Sequence, residues 1–115
     1  MTQRMKPVDL DRSLRTAIQE RRLVAFILYG EPRLMEPHDY GLIAGERRLF
    51  CYQVGGSSRS GRAHGWRWAP LPEISQFHVL DKHFRGPRPV PSGKHTKWDK
   101  LFASVSSKQR ESNEA

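Results

Sequence analysis

Leu23-Val-Ala-Phe-Ile-Leu-Tyr29, then Gly30-Glu-Pro32, then Arg33-Leu-Met-Glu-Pro37-His38 is the stretch that decides the fold class. The apolar run is too short for a core helix, is rich in aliphatic and aromatic residues, and stops at glycine and proline. It therefore reads as a buried strand ending in a turn. A second strand follows from Arg33, bends around Pro37 and continues through Tyr40-Gly-Leu-Ile43. Proline cannot donate to a ladder, so Pro37 marks an edge or a bulge.

Working outward, Ala44-Gly45-Glu46 is a hairpin turn and Arg47-Arg-Leu-Phe-Cys-Tyr-Gln53 a third strand. Gly55-Gly-Ser-Ser-Arg-Ser-Gly61 is a flexible loop by composition. Trp66-Arg-Trp-Ala-Pro70 and Ile74-Ser-Gln-Phe-His-Val-Leu80 supply two more strands, so the pattern is a mainly β small barrel or sandwich. Upstream, Leu10, Leu14, Ala17 and Ile18 form one stripe of a helix capped by Asp9 or Asp11 and ending near Glu20 to Arg22. Downstream, Gly86-Pro-Arg-Pro-Val-Pro-Ser-Gly93 is an extended strap. Thr96 is expected to cap a C-terminal helix with Trp98, Leu101, Phe102 and Val105 on one face. Residues 1–105 then form one domain, and the polar 106–115 stretch is expected to be a disordered tail.

The chain has 115 residues, enough for one hydrophobic core. Its longest apolar run, Leu23 to Tyr29, is too short to span a bilayer. No apolar segment of a secretory signal follows the N-terminus, and the single cysteine, Cys51, cannot form an internal disulfide. A cytoplasmic location without membrane attachment is the resulting expectation. Twenty Lys and Arg against twelve Asp and Glu give a net charge of +8. That balance favours polyanionic partners, or serves solubility alone. The charge is uneven: Ser57 to Leu71 holds Arg59, Arg62 and Arg67 with no acid, and Lys82 to Trp98 is also acid-free.

The order of these segments resembles the WYL domain family. The resemblance rests on Leu14-Arg-Thr-Ala-Ile-Gln-Glu-Arg-Arg-Leu-Val-Ala-Phe26 with Tyr29, on Arg33, Pro37 and Tyr40-Gly41, and on Trp66-Arg-Trp-Ala-Pro-Leu-Pro-Glu-Ile74 followed by Val79-Leu80 and Phe84. It covers about Leu10 to Arg88. The eponymous Trp and Tyr are replaced by Arg47 and Arg48, leaving Leu49, and Glu73 stands where the family usually carries arginine. The resemblance implies a five-stranded Sm-like or SH3-like barrel behind an N-terminal helix. It also implies effector sensing through a basic surface that recognises nucleic acid or nucleotides. Such domains usually follow a DNA-binding helix-turn-helix, for which this chain has no room, so a stand-alone version is expected.

No catalytic constellation emerges. His38-Asp39 resembles the His-Asp pair of metal-dependent phosphohydrolases, but the pair lies on a strand beside a proline and lacks further ligands. His64, His78, His83 and His95 have no ligand spacing. Cys51 reads as an inert buried thiol. A Gly-x-Ser-x-Gly elbow is absent, and the serine-rich Gly55 to Arg62 loop lacks the Gly-Lys-Ser/Thr end of a phosphate loop. The expectation is a non-catalytic module with no metal and no cofactor.

Trp66 and Trp68 alternate with Arg67, so the indoles share one face and Arg67 takes the other. We expect the indoles inside the barrel and Arg67 outside; tryptophans facing outward would instead form stacking platforms for bases. The candidate ligand site is Arg33, Tyr40, Arg48, Arg59, Arg62 and Arg67 around one barrel mouth, with Tyr40 or Tyr52 stacking on a base. The alternative is a protein-interaction or homo-oligomerisation module using the barrel surface and the Pro87-Arg-Pro-Val-Pro91 strap.

Overall fold

Pro7 sets the start of the first helix. Its ring fixes a helical φ, and its missing N–H falls where no helical partner exists. The helix, α1, runs Pro7–Glu20 with Lys6 as the N-cap and no side-chain cap bond. Asp9 and Asp11, expected to cap it, lie inside the helix instead; Asp9 sits in the first turn and Asp11 turns toward the sheet. Leu10, Leu14, Ala17 and Ile18 are the buried stripe. At the other end Arg21 is left-handed, and its N–H reaches the carbonyls of Ala17 and Ile18.

The computed structural model describes residues 5–58, 61–62, 64–89 and 98–105. Its strands are β1 Arg22–Leu28, β2 Glu31–Ile43, β3 Glu46–Gly56, β4 Gly65–Pro70, β5 Ile74–His83 and β6 Lys100–Ser104. All neighbours are antiparallel, in the order β4-β3-β2-β1-β5, with β6 paired to β2. The turns joining β1 to β2 and β2 to β3 are two residues long. Tyr29-Gly30 and Ala44-Gly45 all have positive φ, the signature of a turn that matches strand twist. Tyr29 therefore belongs to the turn and not to the strand.

The five strands read from the sequence are present, but no ladder joins β4 to β5 and the sheet is open. Only the short turn Leu71–Glu73 separates these two edge strands, so the sheet must curl to bring its ends together.

The expected C-terminal helix is a strand. β1 pairs β2 only from Glu31 to Met35, which leaves the far half of that long strand without a partner on one edge. β6 fills this edge from Asp39 to Leu42. Edge hydrogen bonding thus outweighs the helical spacing of Trp98, Leu101, Phe102 and Val105. Ser104 Oγ donates to Asp39 Oδ1 at 2.7 Å. Gly41 permits the close approach, because a Cβ there would meet the Lys100 carbonyl and lie 2.6 Å from Trp98 Cε3. Thr96 and the 106–115 tail lie outside the described residues. Pro37 stands between the two pairing zones of β2, and the register shifts between Pro37 and Asp39 to make His38 a bulge.

Cross-strand pairing assigns the faces. Leu49 pairs Ala69 and Cys51 pairs Arg67 on the face that packs beneath α1, whereas Phe50 pairs Trp68 and Tyr52 pairs Trp66 on the opposite face. This reverses the expected orientation: Arg67 lies on the core side and the indoles lie outside. The small Ala69 and Cys51 fit the crowded core, while Phe50, Trp66, Trp68 and Trp98 build an aromatic layer of their own, with Phe50 and Trp66 stacked at 4.6 Å.

Candidate anion-binding site

Arg33 on β2, Gln53 on β3 and Arg67 on β4 project from the core face of three adjacent strands. Gln53 is fully buried and Arg33 only 6% exposed. Gln53 Oε1 accepts from Arg67 Nε at 3.1 Å and from Arg33 Nη1 at 3.4 Å. Its amide nitrogen donates to the carbonyls of Gly55 and Ser57, which fixes which end of the amide faces the arginines. Arg33 Nη2 donates to the Leu28 carbonyl at 3.2 Å. Arg67 donates to the carbonyls of Trp66 at 3.1 Å and Arg62 at 2.7 Å.

Every one of these acceptors is neutral. Neither Arg33 nor Arg67 forms an ion pair among the described residues, whereas Arg12, Arg15, Arg22, Arg47, Arg48 and Arg88 each meet a carboxylate. Arg33 Nε is buried with no hydrogen-bond partner. Burial, and then the charge of Arg67, push Arg33 below the ordinary guanidinium range, but a guanidinium keeps its proton at neutral pH. Buried charge is normally paired, because an isolated ion loses its hydration without recompense. Cys51 lies fully buried on the same face, its thiol pushed up to about 12 by burial, so it supplies neither charge nor a nucleophile.

The remaining expected site residues do not gather at one mouth. Tyr40 is buried under α1, where its hydroxyl donates to Asp11 Oδ1 at 2.6 Å and accepts from Arg47 Nη1 at 2.9 Å. Burial, and next the bond to Asp11, push this phenol up to about 12. Arg15 and Arg47 also flank the Phe102 ring, at 4.9 and 4.8 Å, so this cluster ties α1 to β2 and β6. Arg48 pairs with Glu46 at 2.7 Å near the hairpin, roughly 17 Å along β3 from Gln53. Tyr52 lies on the outer face. Arg62 adjoins the site through its backbone carbonyl, and Arg59 lies outside the described residues.

The comparisons decide nothing further. No protein-family model, curated protein or solved structure matches this chain. The site therefore rests on its own geometry.

The outer face of the same strands carries a contrasting cluster. Arg88 in the strap donates to both oxygens of buried Glu36, at 2.6 and 2.9 Å, and its guanidinium lies 4.0 Å from the Tyr52 ring centre. His38 is buried between Trp66 and Phe84, with Nε2 3.3 Å from Glu36. Burial opposes the Glu36 charge, but the bonds from Arg88 and His38 outweigh it and hold the carboxyl below its usual range. Burial holds His38 below the usual imidazole value. No three His, Cys, Asp or Glu side chains converge as metal ligands among the described residues, and no helix there is long and apolar enough to cross a membrane.

Two residues with a place at the site escape a motif reading. Gln53 was legible as the polar member of the inward series Leu49, Cys51, Gln53. Tyr29 sits beside Leu28, whose carbonyl Arg33 holds; its ring is 45% exposed and its φ is +52°. That φ is what the two-residue turn requires, as at Ala44, and it holds the aromatic ring at the solvent edge of the site.

Proposed function

We propose that this chain is a non-catalytic regulatory module that binds nucleic acid or a nucleotide-type anion, with Arg33 and Arg67 as its central contacts. The observation that carries the reading is a buried arginine beside a second arginine, with an unsatisfied Nε–H and no carboxylate hydrogen-bonded or ion-paired to it among the described residues. An anion arriving there supplies the missing countercharge and does not first have to break an internal ion pair. The net charge of +8 and the acid-free run from Ser57 to Leu71 draw polyanions toward this end of the sheet. The resemblance to WYL domains points to the same ligand class. The Sm-like or SH3-like barrel it implies belongs to this proposal, and the strand order and short β4–β5 connection are compatible with it.

The strap offers less to a partner protein, since Arg88 is engaged within the chain by Glu36 and Tyr52. Fluorescence anisotropy with a labelled single-stranded oligonucleotide, repeated across salt concentrations, tests the proposal. Wild type should bind with a salt-dependent affinity. Replacing Arg33 with Met and Arg67 with Gln together should flatten the log–log salt slope by about 1.4, roughly 0.7 for each lost phosphate contact. Unchanged affinity and slope would remove these arginines from the site.

A further inference from the structure

We infer that the Arg33–Gln53–Arg67 cluster receives the terminal phosphate monoester of a nucleotide, free or at the 5′ end of a strand, in preference to the internal diesters of a nucleic acid. The inference rests on the proposed function and narrows it. Its first ground is recess. Two donors, Arg67 Nε and Arg33 Nη1, converge on one point inside the fold, now held by Gln53 Oε1. Arg33 is 6% exposed, so a group that reaches it must protrude on a single arm. A terminal phosphate is joined by one ester bond and presents three oxygens. An internal diester carries a nucleoside on both sides, and both would have to enter.

The second ground is charge. The cluster holds two guanidinium charges against neutral acceptors: the Gln53 amide and the carbonyls of Leu28, Arg62 and Trp66. A phosphate monoester carries about −1.5 to −2 at neutral pH and matches that pair, whereas a diester carries a single charge. The carboxylate of Glu31, which accepts from the Ser57 hydroxyl at 2.6 Å, acts on Arg33 through space but makes no hydrogen bond or ion pair with it among the described residues, and Cys51 stays protonated. Arg33 Nε–H is buried and without a partner, so this guanidinium is not fully satisfied by the protein's own acceptors. To admit the phosphate the planar Gln53 amide moves as a unit, giving up its place between the arginines together with its bonds to Gly55 and Ser57. At the rim the exposed ring of Tyr29, next to Leu28, offers a face for the base.

The test compares two 3′-labelled single-stranded hexamers of one sequence, one with a 5′-phosphate and one with a 5′-hydroxyl, competed with AMP, adenosine and 3′,5′-cyclic AMP. The phosphorylated strand should bind about tenfold tighter, as expected for new charge-assisted bonds. AMP should compete and adenosine and the cyclic diester should not, and Arg33→Met should abolish the preference. Arg67→Gln, on an edge strand, gives the same reading should Arg33→Met fail to fold. Competition by AMP without any preference between the hexamers would place a free nucleotide in the site and exclude a strand end. Equal binding of the two hexamers, with equal competition by AMP and cyclic AMP and with Arg33 still required, would overturn the monoester inference and leave the proposed function standing. A preference that survives both substitutions would overturn the assignment to this cluster. Absence of binding by every probe at low salt would remove the proposed function as well.

Discussion

On the outer face of β2 and β3, Arg88 meets a carboxylate with both ends of its guanidinium and lies against an aromatic ring. On the core face of the sheet, Arg33 of β2 and Arg67 of β4 meet each other across the neutral amide of Gln53 on β3. The outer cluster is what a structural ion pair looks like: opposite charges, short bonds and a half-exposed cation that keeps part of its hydration. The inner cluster keeps like charges together in a drier place, which lowers stability unless a ligand gives something back. The difference teaches that arginine count and position in the sequence do not identify a binding arginine. The presence or absence of a countercharge does.

Substitution of Glu36 should produce the largest effect. Glu36→Leu removes the acceptor of Arg88 and the neighbour of His38, and should lower unfolding free energy by about 2 kcal/mol in chemical denaturation. A pH titration of stability sharpens the point. The His38 value is depressed below 6.5 and the Glu36 value below 4.5, so both contributions are complete above those values. Each is lost as pH falls through its depressed folded-state value, the His38 loss beginning first because it sets in below 6.5 and that of Glu36 only below 4.5. The variant should lack the Glu36 part of that acid loss; an unchanged acid limb would mean that this pair does not govern it.

Arg33→Met should act in the opposite direction. An apolar side chain of similar length removes an unpaired buried charge, so stability should hold or rise by about 1 kcal/mol while oligonucleotide binding is lost. A fall of several kcal/mol with retained binding would make Arg33 structural and erase the contrast between the two faces. Arg48→Ala should do least. Its pair with Glu46 is part-exposed, so the melting midpoint should shift by under about 0.5 kcal/mol equivalent and ligand affinity should not change. Loss of binding in that variant would return Arg48 to the site.

Much of the fold was legible because its signals are local. The stripe Leu10, Leu14, Ala17, Ile18, the apolar run after it, the break at Pro37 and the Gly-containing turns locate α1 and β1 to β5 close to where they stand. Arg33 and Arg67 were legible as candidates from residue type and charge. Their convergence was not, because it depends on β3 placing Gln53 between them, and the indoles of Trp66 and Trp68 had to be assigned a face before Arg67 could be. Tyr40 and Arg48 were drawn into the candidate site by their chemistry alone, and in the structure Asp11 and Glu46 engage them.

The sequence by itself determined which segments are extended, where the chain turns, and that the protein is basic with one core. It did so because periodicity, proline and glycine act over a few residues and need no partner. Only the tertiary structure decided three things: that Lys100 to Ser104 would become a strand, which face of β4 meets the core, and which arginines lack an ion-pair partner among the described residues. Each depends on a residue far away in the chain. The free edge of β2 captured β6, the pairing of Phe50 and Tyr52 with Trp68 and Trp66 turned the indoles outward, and Glu36 bonded Arg88 while no acid among the described residues pairs with Arg33.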